Sequence, residues 1–267
     1  MRAATATTED DPAFVRAVAW ERRAHEQTAR RVEPLRYGFA AFDETLPLVY
    51  FANLLWVTAG PGEVSAAELL GDADRLLADF EHRWVVVDRE PLWCTLDGDF
   101  VSAGWGLQTH VVMAHRRPPD RVPELGAVRE VAHADIHAAE MRYMLTQPWC
   151  TTAEPARQVI EHHLRLGAVL GERCFAIFDG DDVSAYAKLR HHDGVAQVED
   201  VVVLDGYRGR SYGRLVTTAA LLAGLELEPE LIFIVADDDE WPKQLYGRLG
   251  FEAAGRTRML HRLPTAL

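Results

Sequence analysis

A turn rich in glycine and arginine follows an apolar segment in the second half of the chain. Residues 198–204 read VEDVVVL, and after Asp205-Gly206-Tyr207 the sequence RGRSYG over Arg208–Gly213 opens a helix with an apolar face. Small residues at a strand-to-helix turn let the backbone approach a ligand, and a helix start presents unpaired N–H groups at its positive dipole end. This arrangement binds phosphates. The alternative is a tight turn whose glycines only satisfy backbone geometry.

The strand, the turn and the pattern Arg208-x-x-Ser211-x-Gly213 resemble the cofactor motif R/Q-x-x-G-x-G/A of the GNAT superfamily of N-acetyltransferases. The resemblance implies that main-chain amides of the turn hold the pyrophosphate of acetyl-CoA and that the preceding strand pairs with the pantetheine arm. Ser211 stands at the first glycine of the motif, which is tolerable if its backbone need not be left-handed. The expected cofactor contacts are Val201, Val203, Arg208, Gly209, Arg210, Ser211, Tyr212, Gly213 and Asp239.

A second motif follows at 231–251, LIFIVADDDEWPKQLYGRLGF, which resembles the next strand and helix of the family, N-x-x-A-x-x-L-Y-x-K-L-G-F. Asp239 is predicted to cap the helix, with Pro242 in its first turn. Gly250 is predicted to take the left-handed position after the helix. The resemblance implies that Tyr246 lies near the thioester sulfur and protonates the departing thiolate as general acid. The alternative for Tyr246 is an aromatic ring packed against the sheet.

The candidate general base is Glu199. Strand alternation predicts that Glu199, Val201 and Val203 share a face, so the carboxylate could take a proton from an ammonium substrate directly or through water. A solvated glutamate at the strand end is the alternative. His191 and His192, which close the preceding strand, are alternative bases, or simply loop residues.

The first half of the chain contains a segment whose sequence resembles a segment of the second half. GWGLQTHVVMAHR from Gly104 aligns with GFEAAGRTRMLHR from Gly250, an offset of 146 residues (250 − 104). At this offset Phe100 meets Tyr246 and has no proton to donate, and the first half has no arginine-rich phosphate turn. We therefore expect a tandem protein with a degenerate GNAT-like N-terminal domain over 1–118. The alternative is an unrelated α/β cap whose match is accidental.

Hydrophobic periodicity predicts the elements that position these residues. The catalytic GNAT domain is expected over 119–267, after a charged, proline-rich linker, in the order β-α-α-β-β-β-α-β-α-β. That order describes an α/β layered fold with a GNAT-like mixed sheet flanked by helices. The expected helices cover 14–31, 66–81, 133–145, 154–170, 211–227 and 240–249, and the expected strands cover 48–58, 83–88, 106–117, 127–131, 173–179, 183–191, 197–204, 231–236 and 252–263.

Composition narrows the class of protein. The chain has 267 residues and a formal net charge of −13, which disfavours nucleic acid as a partner because phosphate binding needs clustered Lys and Arg. No apolar run is long enough for a membrane helix, and residues 1–11 lack the pattern of a signal peptide, so we expect a cytoplasmic protein. The scattered Cys94, Cys150 and Cys174 suggest neither a disulfide framework nor a metal site.

The sequence therefore predicts an acetyl-CoA-dependent N-acetyltransferase that acetylates a primary amine of a small molecule or peptide by direct attack, without a metal. A homodimer is possible. One rival is a non-catalytic acetyl-CoA-binding regulatory module, and another is a purely structural or interaction protein. A Rossmann dehydrogenase is disfavoured because the turn lacks GxGxxG.

Overall fold

A computed structural model of the chain describes residues 11–264 as a mixed α/β fold. The prediction about a signal peptide concerns residues that lie, except for Asp11, outside this range. Within residues 11–264, no helix combines the length and the apolar character needed to cross a bilayer. The chain divides into two compact units, here called the first and the second unit.

The first unit comprises the described residues up to Val112, the segment Ala236–Glu240 and the residues from Ala253 onward. Its strands are hydrogen-bonded in the order β1-β2-β3-β4-β11-β5, so a strand from the end of the chain lies between two strands from the beginning. Its elements are α1 (Pro12–Thr28), β1 (Arg31–Leu35), β2 (Gly38–Phe42), β3 (Leu54–Val57), α2 (Ala66–Leu76), β4 (Arg83–Val87), α3 (Glu90–Ser102), most of β5 (Gly106–His115) and most of β11 (Phe251–Arg262).

Two expectations for the first unit need correction. The helix predicted over 14–31 ends at Thr28, because Ala29 is extended, and the chain enters an antiparallel β1–β2 hairpin that the sequence did not indicate. The strand predicted over 48–58 is a 3-10 turn followed by the short strand β3. The buried Asn53 side chain explains this break, since it accepts from the Asp43 N–H and donates to the carbonyls of Leu46 and Val49, and so fixes a loop.

The second unit comprises Met113–Val235 and Trp241–Glu252. Its strands run in the order β10-β9-β8-β7-β6. The predicted succession of helices and strands after residue 119 is present in the structure. The elements are β6 (Val128–Val131), α4 (His133–Met144), α5 (Ala153–Leu170), β7 (Glu172–Asp179), β8 (Asp182–His192), β9 (Val195–Val203), α6 (Tyr212–Leu225), β10 (Leu231–Asp237, as far as Val235) and α7 (Pro242–Arg248).

Strands β9 and β10 are parallel and are joined by the crossover helix α6, as parallel neighbours require. Within the described residues their register runs from Val195 opposite Leu231 to Val198 opposite Ile234. β9 then continues as far as Val203, beyond the last paired position. Among the described residues, the edge of β9 that faces β10 therefore has no strand pairing past Val198, while the other edge stays paired with β8.

A β-bulge interrupts β9 at the same place. The register against β8 changes between Lys188 opposite Glu199 and Tyr186 opposite Val202, so β9 has one residue more than its partner. Asp200 lies in this bulge with a φ of 49°, in the left-handed region that few residues other than glycine adopt. The bulge bends β9 directly after its last pair with β10.

In the second motif, the predicted conformation of Gly250 is present, whereas the predicted helix cap is not. Gly250 follows α7 with a φ of 94°, and a Cβ there would lie 1.8 Å from the Arg117 carbonyl oxygen, so the position requires glycine. Asp239, however, is not the helix cap. α7 begins at Pro242 with Trp241 as its N-cap, and no side chain caps this helix start. The Asp239 N–H instead donates to the Asp237 carboxylate at 2.9 Å, which forms a turn before the helix.

Candidate functional site

The turn that leads from β9 to α6 is built from left-handed residues. Gly206 and Gly209 have φ values of 88° and 79°, and nothing lies within 4 Å of the position of a Cβ at either residue. Ser211, the N-cap of α6, has φ 62° and ψ 12° and makes no side-chain capping hydrogen bond. The condition under which the motif tolerates a serine, a backbone outside the left-handed region, is therefore not met at Ser211. The position has the backbone of the glycine that the motif calls for.

The start of α6 lies close to β9. A Cβ added to Gly213 would be 3.4 Å from Val203 Cγ2 and 3.9 Å from Leu245 Cδ2, so a side chain larger than alanine would need space elsewhere. The first N–H groups of a helix have no intrahelical acceptors, and no side chain caps this helix start. These amides are suited to an anionic ligand.

Two exposed arginines flank the turn, and both have neighbours within it. Arg208 Nη2 lies 3.2 Å from Asp205 Oδ1, and both side chains are largely exposed. The Arg210 guanidinium lies 5.4 Å from the centre of the Tyr207 ring. Exposed pairs of this kind are weak, so either arginine can turn toward a phosphate at little cost.

The bulge changes which residues of β9 share a face. Glu199 pairs with Lys188 and Val202 pairs with Tyr186, and these two partners are two residues apart on one face of β8. Glu199 therefore shares its face with Val202, and the predicted common face of Glu199, Val201 and Val203 is wrong. The error arose because simple alternation cannot anticipate an extra residue in the strand.

Glu199 is a carboxyl group whose environment suits proton transfer near neutral pH. Burial raises its pKa, the neighbouring Asp200 carboxylate raises it further, and Arg190 and Lys188 partly oppose this, with a result of about 7. A general base is most effective when its pKa lies near the working pH. The alternative bases His191 and His192 are half-buried, and His192 Nε2 lies 3.5 Å from Asp193 Oδ2.

Tyr246 lies on α7 and is 6% exposed. Its ring meets the Phe251 ring edge to face at a centroid distance of 6.5 Å. The sequence allows this tyrosine to be an acid or a packing residue, and the ring contact is compatible with both roles. In the first unit, Phe100 is fully buried on α3 and packs edge to face on Trp105 at 4.9 Å.

The second unit contains a closed ring of largely buried charges that no pattern in the sequence indicated. Its members alternate in sign, and they come from β9, β8, α4 and β7. We call this set the charge ring, which runs through Asp200, Lys188, Glu140, His133, Glu172 and Arg190 and returns to Asp200.

Lys188 is the centre of one half of the charge ring. Its fully buried ammonium lies 2.9 Å from Asp200 Oδ2 and forms an ion pair with the buried Glu140. His163 on α5 bridges the same two carboxylates, with its Nδ1 3.3 Å from Asp200 and 3.5 Å from Glu140. Burial opposes the charges on Asp200 and Glu140, but the hydrogen bonds and charges of the neighbouring His133, His163, Lys188 and Arg190 outweigh it and keep the pKa of both carboxyls well below the usual range.

His133 bridges two carboxylates in the other half of the charge ring. Its two ring nitrogens each lie 2.7 Å from a carboxylate oxygen, one of Glu140 and one of Glu172. Burial opposes the imidazolium charge, but these hydrogen bonds outweigh it and raise the pKa of His133 to about 9. The Arg190 Nε donates to Glu172 at 3.0 Å, and Arg190 Nη2 lies 3.9 Å from Asp200 Oδ2.

The ring brings together groups of the types that bind metal ions. Glu140, His163 and Asp200 lie within reach of a common ion, as do His133, Glu172 and Cys174. In the first group the Lys188 ammonium already pairs with both carboxylates. Side chains therefore supply positive charge to these carboxylates.

The chain was compared with protein families, curated sequences and solved structures. Residues 136–251 match the sequence model of the Acetyltransferase (GNAT) family. No curated protein sequence matches the chain significantly.

Among solved structures, a GCN5-related N-acetyltransferase from Kribbella flavida is 21% identical, with a TM-score of 0.60 over 96% of this chain and 97% of its own. A functionally unknown conserved protein from Staphylococcus epidermidis is 12% identical, with a TM-score of 0.67 over 89% and 95%. A tandem GNAT protein from the clavulanic acid biosynthesis pathway is 14% identical, with a TM-score of 0.52 over 98% of both chains. At these identities the likeness to solved structures shows the fold alone, and the family match covers 136–251, which is less than half of the 267 residues.

Proposed function

We propose that this protein is an acetyl-CoA-dependent N-acetyltransferase that transfers the acetyl group to a primary amine of a small molecule or peptide by direct attack. The observation that carries the proposal is the course of β9 within the family match. The strand leaves its pairing with β10 after Val198 and turns through left-handed residues into the uncapped helix α6. Free strand backbone followed by a helix start suits an extended ligand that ends in phosphates.

The residues of the turn fit the cofactor. The α6 amides at Tyr212 and Gly213 and the flanking Arg208 and Arg210 would hold the pyrophosphate, and the backbone of Val201 and Val203 would pair with the pantetheine arm. Gly209 leaves open space beside the turn. When bound, acetyl-CoA supplies the acetyl group as a thioester. The assignment of Asp239, which is exposed, to cofactor binding stays a prediction.

Side chains of the protein would then carry out the proton transfers of the reaction. The Glu199 carboxylate, with a pKa of about 7, accepts a proton from the ammonium of the acceptor, so that the free amine forms the new amide bond. A β9 N–H polarises the carbonyl oxygen. The Tyr246 hydroxyl donates its proton to the sulfur as the carbon–sulfur bond breaks, the nitrogen releases its second proton to solvent as the amide forms, and solvent reprotonates the tyrosine. This scheme requires no metal ion.

A non-catalytic acetyl-CoA-binding module is the second candidate. The observation that favours it is Ser211, a non-glycine residue held in the left-handed region at the centre of the phosphate turn. Thiol release from acetyl-CoA in the presence of a panel of amines, aminoglycosides, amino acids and peptides separates the two candidates. Release that depends on an amine supports the enzyme, and CoA binding without release from any member of the panel supports the module.

The turn is tested by Gly213→Asp, which places a carboxylate against the pyrophosphate. We expect calorimetry to show one CoA per chain for the wild type and at least about a tenfold loss of affinity in the variant, because like charges repel. Gly71→Asp is the matched control, since Gly71 is an exposed helical glycine with nothing near its Cβ position. If Gly213→Asp bound CoA as tightly as the wild type, the cofactor site would lie elsewhere.

We also propose that residues 1–118 are a degenerate GNAT-like copy that holds no cofactor. In support, α3 and α7 occupy corresponding places before β5 and β11, and the glycines that follow them, Gly104 and Gly250, both have positive φ. Two bound CoA molecules per chain in the same titration would overturn this proposal.

A further inference from the structure

The charge ring joins six ionisable side chains of the second unit, and the proposed chemistry does not use it directly. We propose that it is a positioning device for acetyl transfer: by clamping the carboxylate of Asp200, it holds the bulge that sets the backbone of β9 beside Glu199. This inference rests on the proposed function for the identity of the reaction.

The first step of the argument is the backbone of Asp200. An L-residue in the middle of a strand avoids a φ of 49°, and a residue kept there must be held by its surroundings. The Asp200 carboxylate lies 2.9 Å from the Lys188 ammonium, 3.3 Å from His163 Nδ1 and 3.9 Å from Arg190 Nη2. The side chain that is clamped therefore belongs to the residue whose backbone is strained.

The second step is the closure of the ring. Asp200 lies on β9, and the other members lie on α4, β7 and β8. The ring therefore connects the Asp200 carboxylate to three further elements of the second unit. Each carboxylate of the ring contacts two cations, and each cation contacts two carboxylates. In such a network each charge restrains its neighbours, whereas loss of one member leaves each neighbour with a single partner in the ring and an incompletely compensated charge.

The third step connects the bulge with the site. Glu199 precedes Asp200 directly, and the pairing of β9 with β10 ends one residue earlier, at Val198. A change in the backbone at Asp200 therefore reorients the Glu199 carboxylate and the N–H groups of Val201 and Val203 together. Acyl transfer is sensitive to displacements of this kind, and about 1 Å can cost on the order of 100-fold in rate.

The fourth step is electrostatic. Asp200 raises the pKa of Glu199, while Arg190 and Lys188 lower it. Neutralising Asp200 should therefore lower the pKa of Glu199 and move the acid limb of the pH profile of kcat/KM to lower pH. Neutralising Lys188 should raise that pKa and move the acid limb to higher pH. The ionisable groups that belong to this cluster are Asp200 and Glu199 on β9, Lys188 and Arg190 on β8, His133 and Glu140 on α4, His163 on α5 and Glu172 on β7.

The experiment compares Asp200→Asn, Lys188→Met and the double variant. Asparagine tolerates the left-handed region, and methionine approximates the length of lysine without its charge. The double variant removes one positive and one negative charge, so it leaves no new unpaired ion and should fold even if a single variant does not. Glu130→Gln is the control, because it removes an exposed ion pair with Arg173 in the same unit, and neither of these two residues is a member of the ring.

The first readout is hydrogen exchange of the protein without ligands. We expect the segment 198–204 to exchange at least about tenfold faster in the double variant, and residues 83–87 of the first unit to be unchanged. The second readout is the pH profile of kcat/KM. We expect the acid limb to move by about one pH unit, downward in Asp200→Asn and upward in Lys188→Met, and to return toward the wild type in the double variant.

A purely structural role makes a different prediction. It requires kcat/KM to recover together with stability in the double variant, whereas positioning requires a persistent loss of about 10- to 100-fold in a stably folded protein. Unchanged exchange at 198–204 together with wild-type kcat/KM would overturn the proposal. If the wild type released no thiol with any amine, the proposed function would fail, and the exchange experiment would still decide whether the ring holds the bulge.

Discussion

Ser211 and Asp200 adopt the same left-handed backbone under different constraints. Asp200 is held by the charge ring through its carboxylate. Ser211 is exposed and makes no side-chain capping bond. The strain at Ser211 is therefore uncompensated by its own side chain, and glycine would relieve it.

We predict that Ser211→Gly raises the free energy of unfolding by about 0.5–1 kcal/mol. The gain is the difference between a left-handed penalty of roughly 1–2 kcal/mol for an L-residue and the larger chain entropy of glycine, roughly 0.5–1 kcal/mol. Urea denaturation measures it. Ser211→Ala is the control, because alanine keeps the Cβ and should not gain stability. A Ser211→Gly variant less stable than the wild type would show that the serine hydroxyl contributes more than the backbone strain costs.

Tyr246 is tested by removing its hydroxyl alone. Because the ring packs on Phe251, Tyr246→Phe should preserve the fold and the affinity for CoA. We expect kcat to fall about 10²- to 10⁴-fold if the tyrosine is the general acid. The measurement is steady-state thiol release at saturating substrate, with CoA affinity from calorimetry. An unchanged kcat, with chemistry shown to limit the rate, would leave the tyrosine a packing role only.

At the scale of elements, the charge ring links helix α4 to the sheet through His133, and this makes stability depend on pH. The pKa of His133 is raised to about 9 in the folded protein from an ordinary value of 6.5. A raised pKa means that the folded state binds the proton more tightly, so the stabilisation is complete below pH 6.5 and is lost as the pH rises through about 9.

We predict that the free energy of unfolding falls by up to about 3 kcal/mol between pH 6.5 and pH 9.5, at about 1.4 kcal/mol per pH unit of pKa difference. His133→Gln should remove most of this dependence and be less stable than the wild type at pH 6.5. His137→Gln, on the exposed side of the same helix, should behave as the wild type. Urea denaturation at the two pH values is the measurement, and an equal dependence in both variants would contradict the assignment.

Much of the element order could be predicted from the sequence, because it depends on local patterns. The helix α5 and the strand β10 come from continuous periodicity and are observed within a residue or two of their predicted ends. Gly250 was identified from its place after a helix. The β1–β2 hairpin was missed, since Arg31–Leu35 is a polar edge strand that contains Pro34 and shows no clear alternation.

The candidate site was predicted in part. The phosphate turn was located from a local pattern, and the test of its role remains to be made. The bulge was missed because one extra residue in a strand leaves no mark in the sequence, and this reversed the predicted face of Glu199. The charge ring was missed because its members extend from His133 to Asp200 on separate elements. Only the folded sheet brings them together.

At the scale of the whole molecule, the first unit is not a continuous stretch of the chain. β11 pairs antiparallel with β4, from Arg258 opposite Val87 to Arg262 opposite Arg83. Leu260 is fully buried in the core of this unit. The Arg258 guanidinium donates to Asp97 at 2.7 Å. The predicted boundary at residue 118 therefore separates the first unit from one of its own strands, and the division into domains 1–118 and 119–267 stays a prediction.

We predict that a fragment of residues 1–118 does not fold cooperatively, because β4 and β5 lose the strand between them and the core loses Leu260. Circular dichroism during urea titration should show no sharp transition. Adding a peptide of residues 251–264 should restore one, and the same peptide with Leu260→Asp should not, since a buried unpaired charge is costly. A cooperative transition of the fragment alone would show that β11 is dispensable.

The position of β11 in the chain also has a consequence during synthesis. When the ribosome has released the strands of the first unit as far as β5, the segment that separates β4 from β5 has not yet been translated. At 5–20 residues per second, roughly 7–30 seconds pass before Arg262 is made. During this interval the β4 edge presents unpaired backbone and an apolar surface, the kind of surface on which nascent chains aggregate. This protein should therefore depend on chaperones that bind nascent chains more than a protein whose N-terminal unit is contiguous.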